Sequence, residues 1–302
     1  MNPGTRPEGV LCTGRLYCDI VMGGLPALPT PGSEVYADRL TLAAGGGAYI
    51  TAAYLVARGR RAGLAALLPA EPFGAAIADE LAGSGIDLSA CTAAAPGAEP
   101  QVTVAMIVDG ERAFVTRRAG LAVPATLAAA IGSGRYRHLH LGELATLAEA
   151  PQVVALARAA GLSVSADCAW DAAVLARTDL PALLAGVDVF LPNRVEAEAL
   201  ARHAPLADHA PLVVIKDGAA GAEAIRGATA LHRPALATRV VDTVGAGDAF
   251  NAGFLDAWLG GAALADCLDA GAASAAMAVG RIGGARGLLE DARTMAPRRA
   301  AR

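Results

Sequence analysis

Apolar runs too short for anything but strands alternate with helical runs along most of this 302-residue chain, and that alternation leaves few folds open. The spacing predicts strands at 10–13, 63–68, 101–108, 137–141, 162–166, 187–191 and 212–216, and helices at 48–58, 73–82, 124–131, 150–160, 194–201, 246–258 and 264–279. Strand and helix in regular succession read as a mostly parallel α/β sheet flanked by helices. The unbroken run Leu212-Val-Val-Ile agrees with burial on both faces. No linker rich in Pro, Ser or Gly divides the chain, so a single domain over 1–302 is expected, with 1–8 and 294–302 flexible.

Two stretches break the pattern. Residues 33–43 and 101–117 alternate apolar with polar, the second around Asp109-Gly110 as a hairpin turn. They predict a small antiparallel β-sheet with strands near 14–43 and 101–117. It would serve either as a lid over a site at the main sheet's carboxyl edge or as a plain extension of the edge.

Composition narrows the function. The chain is 54% hydrophobic, but mostly through alanine, and Gly, Arg or Pro interrupts each apolar run well short of the ~18 residues of a bilayer helix. The polar start has no apolar core of a secretion signal. Five scattered cysteines without a C-x-x-C pair suggest reduced thiols in a cytoplasm. A net charge of −4 without a basic block offers nothing to nucleic acid or a membrane surface. Of the 25 basic residues, 24 are Arg, and Lys216 stands alone. Because it follows Ile215 and precedes Asp217, no P-loop G-K-[ST] exists.

The segment Val241-Asp-Thr-Val-Gly245-Ala246-Gly247-Asp248-Ala-Phe-Asn251 carries the most chemistry. Gly245 and Gly247 flank Ala246 where a loop turns into an apolar helix, so three N–H groups point outward at a helix N-terminus and can hold an anion. Asp248 beside them is either a first-turn acid or a general base for a hydroxyl attacking phosphorus. Asn193 and Glu196 stand three residues apart at a helix start, where they share a face and can close a capping box. Lys216 ends a buried strand, where a lone lysine must find an anion or snorkel. His138 and His140 share a strand face with no third ligand near in sequence, and read as structural.

The string D-T-x-G-A-G-D closely resembles the second signature of ribokinase-like (PfkB) carbohydrate kinases. The likeness extends to Thr13-Gly-Arg-Leu-Tyr-Cys-Asp19, to Pro31-Gly32 followed by Gly45-Gly46, to Pro192-Asn193-x-x-Glu196, and to Lys216-x-Gly218-x-x-Gly221. The resemblance implies an ATP-dependent phosphotransferase acting on a hydroxymethyl group of a sugar or sugar-like molecule. Asp248 would be the base, Gly245, Ala246 and Gly247 the anion hole, and Asp19, Tyr17, Gly46, Gly47, Ile50 and Glu143 the acceptor pocket. Asn193, Lys216, Gly218, Gly221 and Gly247 would meet the nucleotide, with Asn193 and Glu196 acting on Mg²⁺ through water. Asp242, Val244, Ala278, Arg281 and Gly283 would supply oxygens to K⁺. The family commonly dimerises lid to lid. Ile50 stands where the family places an asparagine on sugar hydroxyls. Tyr17 likewise replaces an asparagine, and Gly47 a ribokinase lysine. Those losses leave open a nucleoside acceptor and, in another class, a nucleotide-binding module without chemistry.

Overall fold

The alternation closes into one large parallel sheet and one small mixed sheet. A computed structural model describes residues 9–108, 111–281 and 283–288. Its strands are β1 (Gly9–Thr13), β2 (Tyr17–Leu25), β3 (Arg39–Gly45), β4 (Ala62–Ala65), β5 (Val102–Val108), β6 (Glu111–Arg117), β7 (Tyr136–Leu141), β8 (Ser163–Asp167), β9 (Val189–Leu191), β10 (Leu212–Lys216), β11 (Ala222–Arg226) and β12 (Thr229–Arg233). The large sheet runs β12-β11-β10-β9-β8-β7-β1-β4, parallel from β4 through β10, with β11 and β12 added as an antiparallel edge hairpin. Both faces are covered. Val10 and Cys12 enter one apolar layer while Leu11 enters the other, and Leu212 and Val214 oppose Val213 and Ile215 in the same way. Among the described residues no helix is long and apolar enough to cross a membrane.

Parallel strands place all their carboxyl ends along one edge, which is where α/β sheets bind ligands. Here Thr13, Leu141, Asp167, Leu191 and Lys216 end β1, β7, β8, β9 and β10 on that edge. The helix Ala246–Leu259 packs against Gly47–Ala57 and Leu264–Val279, so its first turn meets the helix that follows β3.

The small sheet runs β3-β2-β5-β6 and differs from the sequence expectation in two respects. It is mixed, because β2 pairs parallel with β5 between two antiparallel pairs. Residues 33–38 are not strand; β3 begins at Arg39, opposite Gly23, and beyond it Gly24 turns into the left-handed region (φ 75°) with Asp38 folded against it, which ends the ladder. Asp109-Gly110 and the expected flexible ends 1–8 and 294–302 lie outside the described residues.

Arg15 ties the two sheets together. Nearly fully buried between β1 and β2, it donates to Gln101 Oε1 (2.7 Å), to the carbonyls of Ala119 (2.7 Å) and Gly120 (3.0 Å), and to Glu149 Oε2 (2.6 Å). The segments that lead into β5 and out of β6 therefore meet one guanidinium, whose fork suits several acceptors at once. Removing it leaves those acceptors and an acid without their donor. Arg15→Met should lower unfolding stability by about 3 kcal/mol, against ~1 kcal/mol or less for Arg118→Gln, whose pair with Asp171 is partly exposed. Urea midpoints of the two variants check this contrast.

Candidate active site

Gly245 sits in the left-handed region (φ 74°) and caps the helix Ala246–Leu259 without a side-chain cap, and the Ala246 N–H bonds the Thr243 carbonyl at 3.3 Å. Asp248 lies in that first turn. Its carboxylate passes so close to Gly47 that a Cβ there would stand 2.8 Å from Oδ1, and 2.7 Å from the carbonyl oxygen of Gly142. A side chain at 47 would thus displace the acid, which gives the third glycine of Gly45-Gly46-Gly47 a physical reason. Burial pushes Asp248 up to about 7, the negative charge of Asp167 adds to it, and Lys216 opposes it.

Lys216 ends β10 with its ammonium buried. Nζ donates to both carboxylate oxygens of Asp167, each at 2.9 Å, and to Asn251 Oδ1 at 3.1 Å. Asn251 in turn donates to Asp167, closing a triangle between β8, β10 and the helix after the anion turn. A Cβ on Gly247 would stand 3.5 Å from Nζ, so the ammonium lies beside the turn that could hold a phosphate. Burial alone would lower the ammonium's affinity for its proton, but the carboxylates of Asp167 and Glu196 outweigh it and raise it.

Asn193 and Glu196 form a full capping box. Asn193 Oδ1 accepts from the Glu196 N–H (2.9 Å), and Glu196 Oε2 accepts from the Asn193 N–H (2.8 Å). Glu196 is only 3% exposed, and burial followed by the charge of Asp167 pushes it up to about 7. With one oxygen of each taken, and with no three His, Cys, Asp or Glu side chains placed to hold a metal ion together among the described residues, the donor set suits a hydrated cation better than one stripped of water. Gly218 (φ 51°) and Gly221 (φ 104°) shape the loop after Lys216, where the Asp217 N–H bonds the Gly221 carbonyl at 2.8 Å.

The acceptor candidates gather on the other side of Asp248. Asp19 lies opposite Ala43, with its carboxylate folded over Gly45, and Gly46 (φ 104°) leaves no room for a Cβ beside the Arg15 carbonyl. Tyr17 is buried and hydrogen-bonded to Arg118. Glu143 accepts from Thr146 Oγ1 (2.9 Å); burial raises it, and Arg118 and Arg15 hold the rise down. Ile50 packs against Gly245 and the neighbouring Gly284, so it touches the anion turn itself. Asp242 bonds the N–H groups of Val244 (2.9 Å) and Gly283 (2.8 Å), and the Arg281 N–H meets the Ala278 carbonyl (3.0 Å), which brings the monovalent-cation candidates into one loop cluster.

Asp167, Asn251, Arg118 and Glu80 did not stand out in the sequence. Asp167 had the one usable signal, an acid at the carboxyl end of a buried strand. The two histidines are pure scaffold. His138 and His140 share Ser165 through bonds of 2.7 and 2.9 Å, and burial pushes them down to about 3 and 4, so both stay neutral.

The model of the pfkB family of carbohydrate kinases matches residues 10–291. An uncharacterized sugar kinase of Archaeoglobus fulgidus is 35% identical over 133 residues, 42% of this chain. That match spans 53% of its length, about half of that curated relative. Among solved structures, adenosine kinase from Sinorhizobium meliloti aligns with a TM-score of 0.76 and 22% identity, covering 95% of this chain and 99% of its own. Arabidopsis thaliana ribokinase complexed with ribose and ATP aligns with a TM-score of 0.73 and 20% identity, covering 95% of this chain and 98% of its own. At these identities the two alignments speak to the fold.

The raised acids have a stability consequence. Asp248 is at about 7 in the folded chain against 3.8 for the free group. Its contribution is therefore complete below about 4 and lost as pH rises through 7. Asp248→Asn, neutral at every pH, should be more stable than the native protein at pH 8 by roughly 1–3 kcal/mol, and nearly equal to it at pH 4. Melting curves across that range check the sign.

Proposed function

This chain belongs to the pfkB family of carbohydrate kinases, and on that premise we propose that it transfers the γ-phosphoryl group of ATP to a hydroxymethyl group of a sugar or sugar-like small molecule. The observation that carries this reading is the placement of a partly buried, raised carboxylate, Asp248, in the first turn of a helix that starts at the Gly245 turn, with the Lys216 ammonium beside Gly247. An acid poised near neutrality can take the proton of an alcohol as it attacks, and the adjoining N–H groups of Gly245, Ala246 and Gly247 receive the charge that develops on the transferred phosphoryl. Lys216 supplies a compact cation beside Gly247, held there by Asp167 and Asn251 until a phosphate competes for it.

Mg²⁺ bound with the nucleotide neutralises phosphate charge. Asn193 and Glu196, locked in their capping box, would order its water shell, and Lys216, Gly218 and Gly221 line the nucleotide's side of the edge. A monovalent cation would meet Asp242, Val244, Ala278, Arg281 and Gly283 beside the anion turn. Asp19 and Glu143 would bind acceptor hydroxyls over the floor made by Gly46 and Gly47.

A nucleoside acceptor is the second reading, favoured by Tyr17, an aromatic side chain held by Arg118 where the pocket would otherwise be polar. The small sheet would act as a lid in either case, and as a dimer interface if two copies meet there.

Phosphate transfer from ATP across pentoses, hexoses, sugar phosphates and nucleosides tests the reading. Turnover with at least one alcohol is expected, and none with any of them would leave only a nucleotide-binding module. Asp248→Asn should cut kcat by roughly 10²–10⁴ with nucleotide binding retained; activity within a few-fold of native would remove Asp248 from the role of base. Glu196→Gln should raise the Mg²⁺ concentration needed for half-maximal rate. Unchanged metal dependence with a lower melting temperature would make the pair a helix cap alone.

A further inference from the structure

The turn Gly45-Gly46-Gly47 joins β3 to the helix Gly47–Ala57 and forms the floor beside both Asp19 and Asp248. Gly45 pairs with Tyr17 as the last residue of β3 and Gly47 opens the helix, but three successive glycines are the least restrained backbone available. A further restraint comes from a side chain. Glu80, on the helix Phe73–Gly83, accepts from the Ala44 N–H through Oε2 and from the Tyr49 hydroxyl through Oε1, both at 3.0 Å. Ala44 is the residue before the turn and Tyr49 lies in the first turn of the helix after it. One carboxylate thus spans the glycines from end to end. Tyr49 is fully buried and Ala44 nearly so, which fixes both donors.

Asp19 stands on the other side of the same backbone. A Cβ on Gly45 would overlap its carboxylate, with Oδ2 2.0 Å away. The titratable groups around Asp19 are the carboxyl groups of Glu80, from the helix behind, and Asp248, from the helix across the pocket, with the neutral Cys18 thiol on its own strand. Arg286 reaches the far side of β3, where it donates to the Leu42 carbonyl. Burial and then Glu80 push Asp19 up to about 7.

We propose that Glu80 is a positioning residue of the acceptor pocket, pinning the Gly45–Gly47 turn through Ala44 and Tyr49 and placing a second carboxylate near Asp19. In this arrangement Asp19 can donate a proton to an acceptor oxygen as well as accept from a hydroxyl, and Glu80 does not touch the acceptor. The proposal rests on the reading of this pocket as the acceptor site.

Two variants separate the effects. Glu80→Gln keeps a side chain able to meet both Ala44 and Tyr49 but removes the charge; Glu80→Ala removes both. Carbon-13 carboxyl titration of aspartate-labelled protein, with the Asp19 signal identified by Asp19→Asn, needs no acceptor and so is independent of whether the chain is a kinase. Asp19 should titrate at lower pH in Glu80→Gln than in the native protein, since a like charge has been removed. Kinetics with ribose and adenosine as probes then read the turn. For whichever is phosphorylated, Glu80→Ala should raise its KM roughly 10-fold while the KM for ATP stays within two-fold, and Glu80→Gln should recover most of that loss. An Asp19 titration unmoved in Glu80→Gln overturns the electrostatic half. An equal rise in both KM values, or a lower melting temperature with both unchanged, overturns the positioning half. If neither probe turns over, the best acceptor of the full panel takes their place in the kinetic arm; only a panel with no turnover at all counts against the kinase reading, and the titration then decides the influence of Glu80 on Asp19.

Discussion

The ammonium of Lys216 sets the electrostatics of the carboxyl edge. Three acids, Asp167, Glu196 and Asp248, come from three separate elements to the neighbourhood of this lysine, in a space that is largely closed to water. Charges in such a place persist only when paired and hydrogen-bonded. Asp167 meets that condition by taking Nζ on both oxygens and the Asn251 amide as well. Its charge then falls on Glu196 and Asp248, and together with burial it holds both near neutrality. Burial is the larger cause and the charge of Asp167 adds to it, so both neighbours are poised to exchange protons, a state a general base needs.

Close backbone approach is the second constraint. Gly142, which precedes Glu143, would place a Cβ 2.3 Å from the Ala48 N–H, Gly46 would meet the Arg15 carbonyl, and Gly47 would meet Asp248. The ends of β1, β3 and β7 therefore converge on one small volume only because side chains are missing there. Glycine at 47 first reads as the loss of a lysine from the acceptor pocket. In the folded chain it is also the gap through which Asp248 passes.

What was legible in the sequence was what is local in it. The anion turn, the capping box and the strand that ends at Lys216 each lie within a few consecutive residues, and β10 and the helices Arg194–Ala201 and Leu264–Val279 fall where the periodicity placed them. The clamp on Lys216 was hidden because its partners are 49 and 35 residues away, and Arg15 reaches Glu149 across 134. No spacing rule brings such pairs together; the order of strands does. The edge hairpin of β11 and β12 escaped notice because Ala, Glu and Arg are weak strand formers, so its pairing depends on the β10 edge rather than on propensity. Residues 33–38 show the opposite error, an alternating pattern whose pairing with β2 stops at the left-handed Gly24.

The most direct test of the account is the pH dependence of kcat/KM for the best acceptor, which reports ionisations of the free enzyme. If Asp248 is the base, and burial with Asp167 holds it at about 7, the rate constant should rise as pH increases from 5.5, bend near 7 and level off above it. A profile flat from pH 5.5 to 8.5, or one that falls as Asp248 loses its proton, would contradict the assignment on which the whole reading of the site depends.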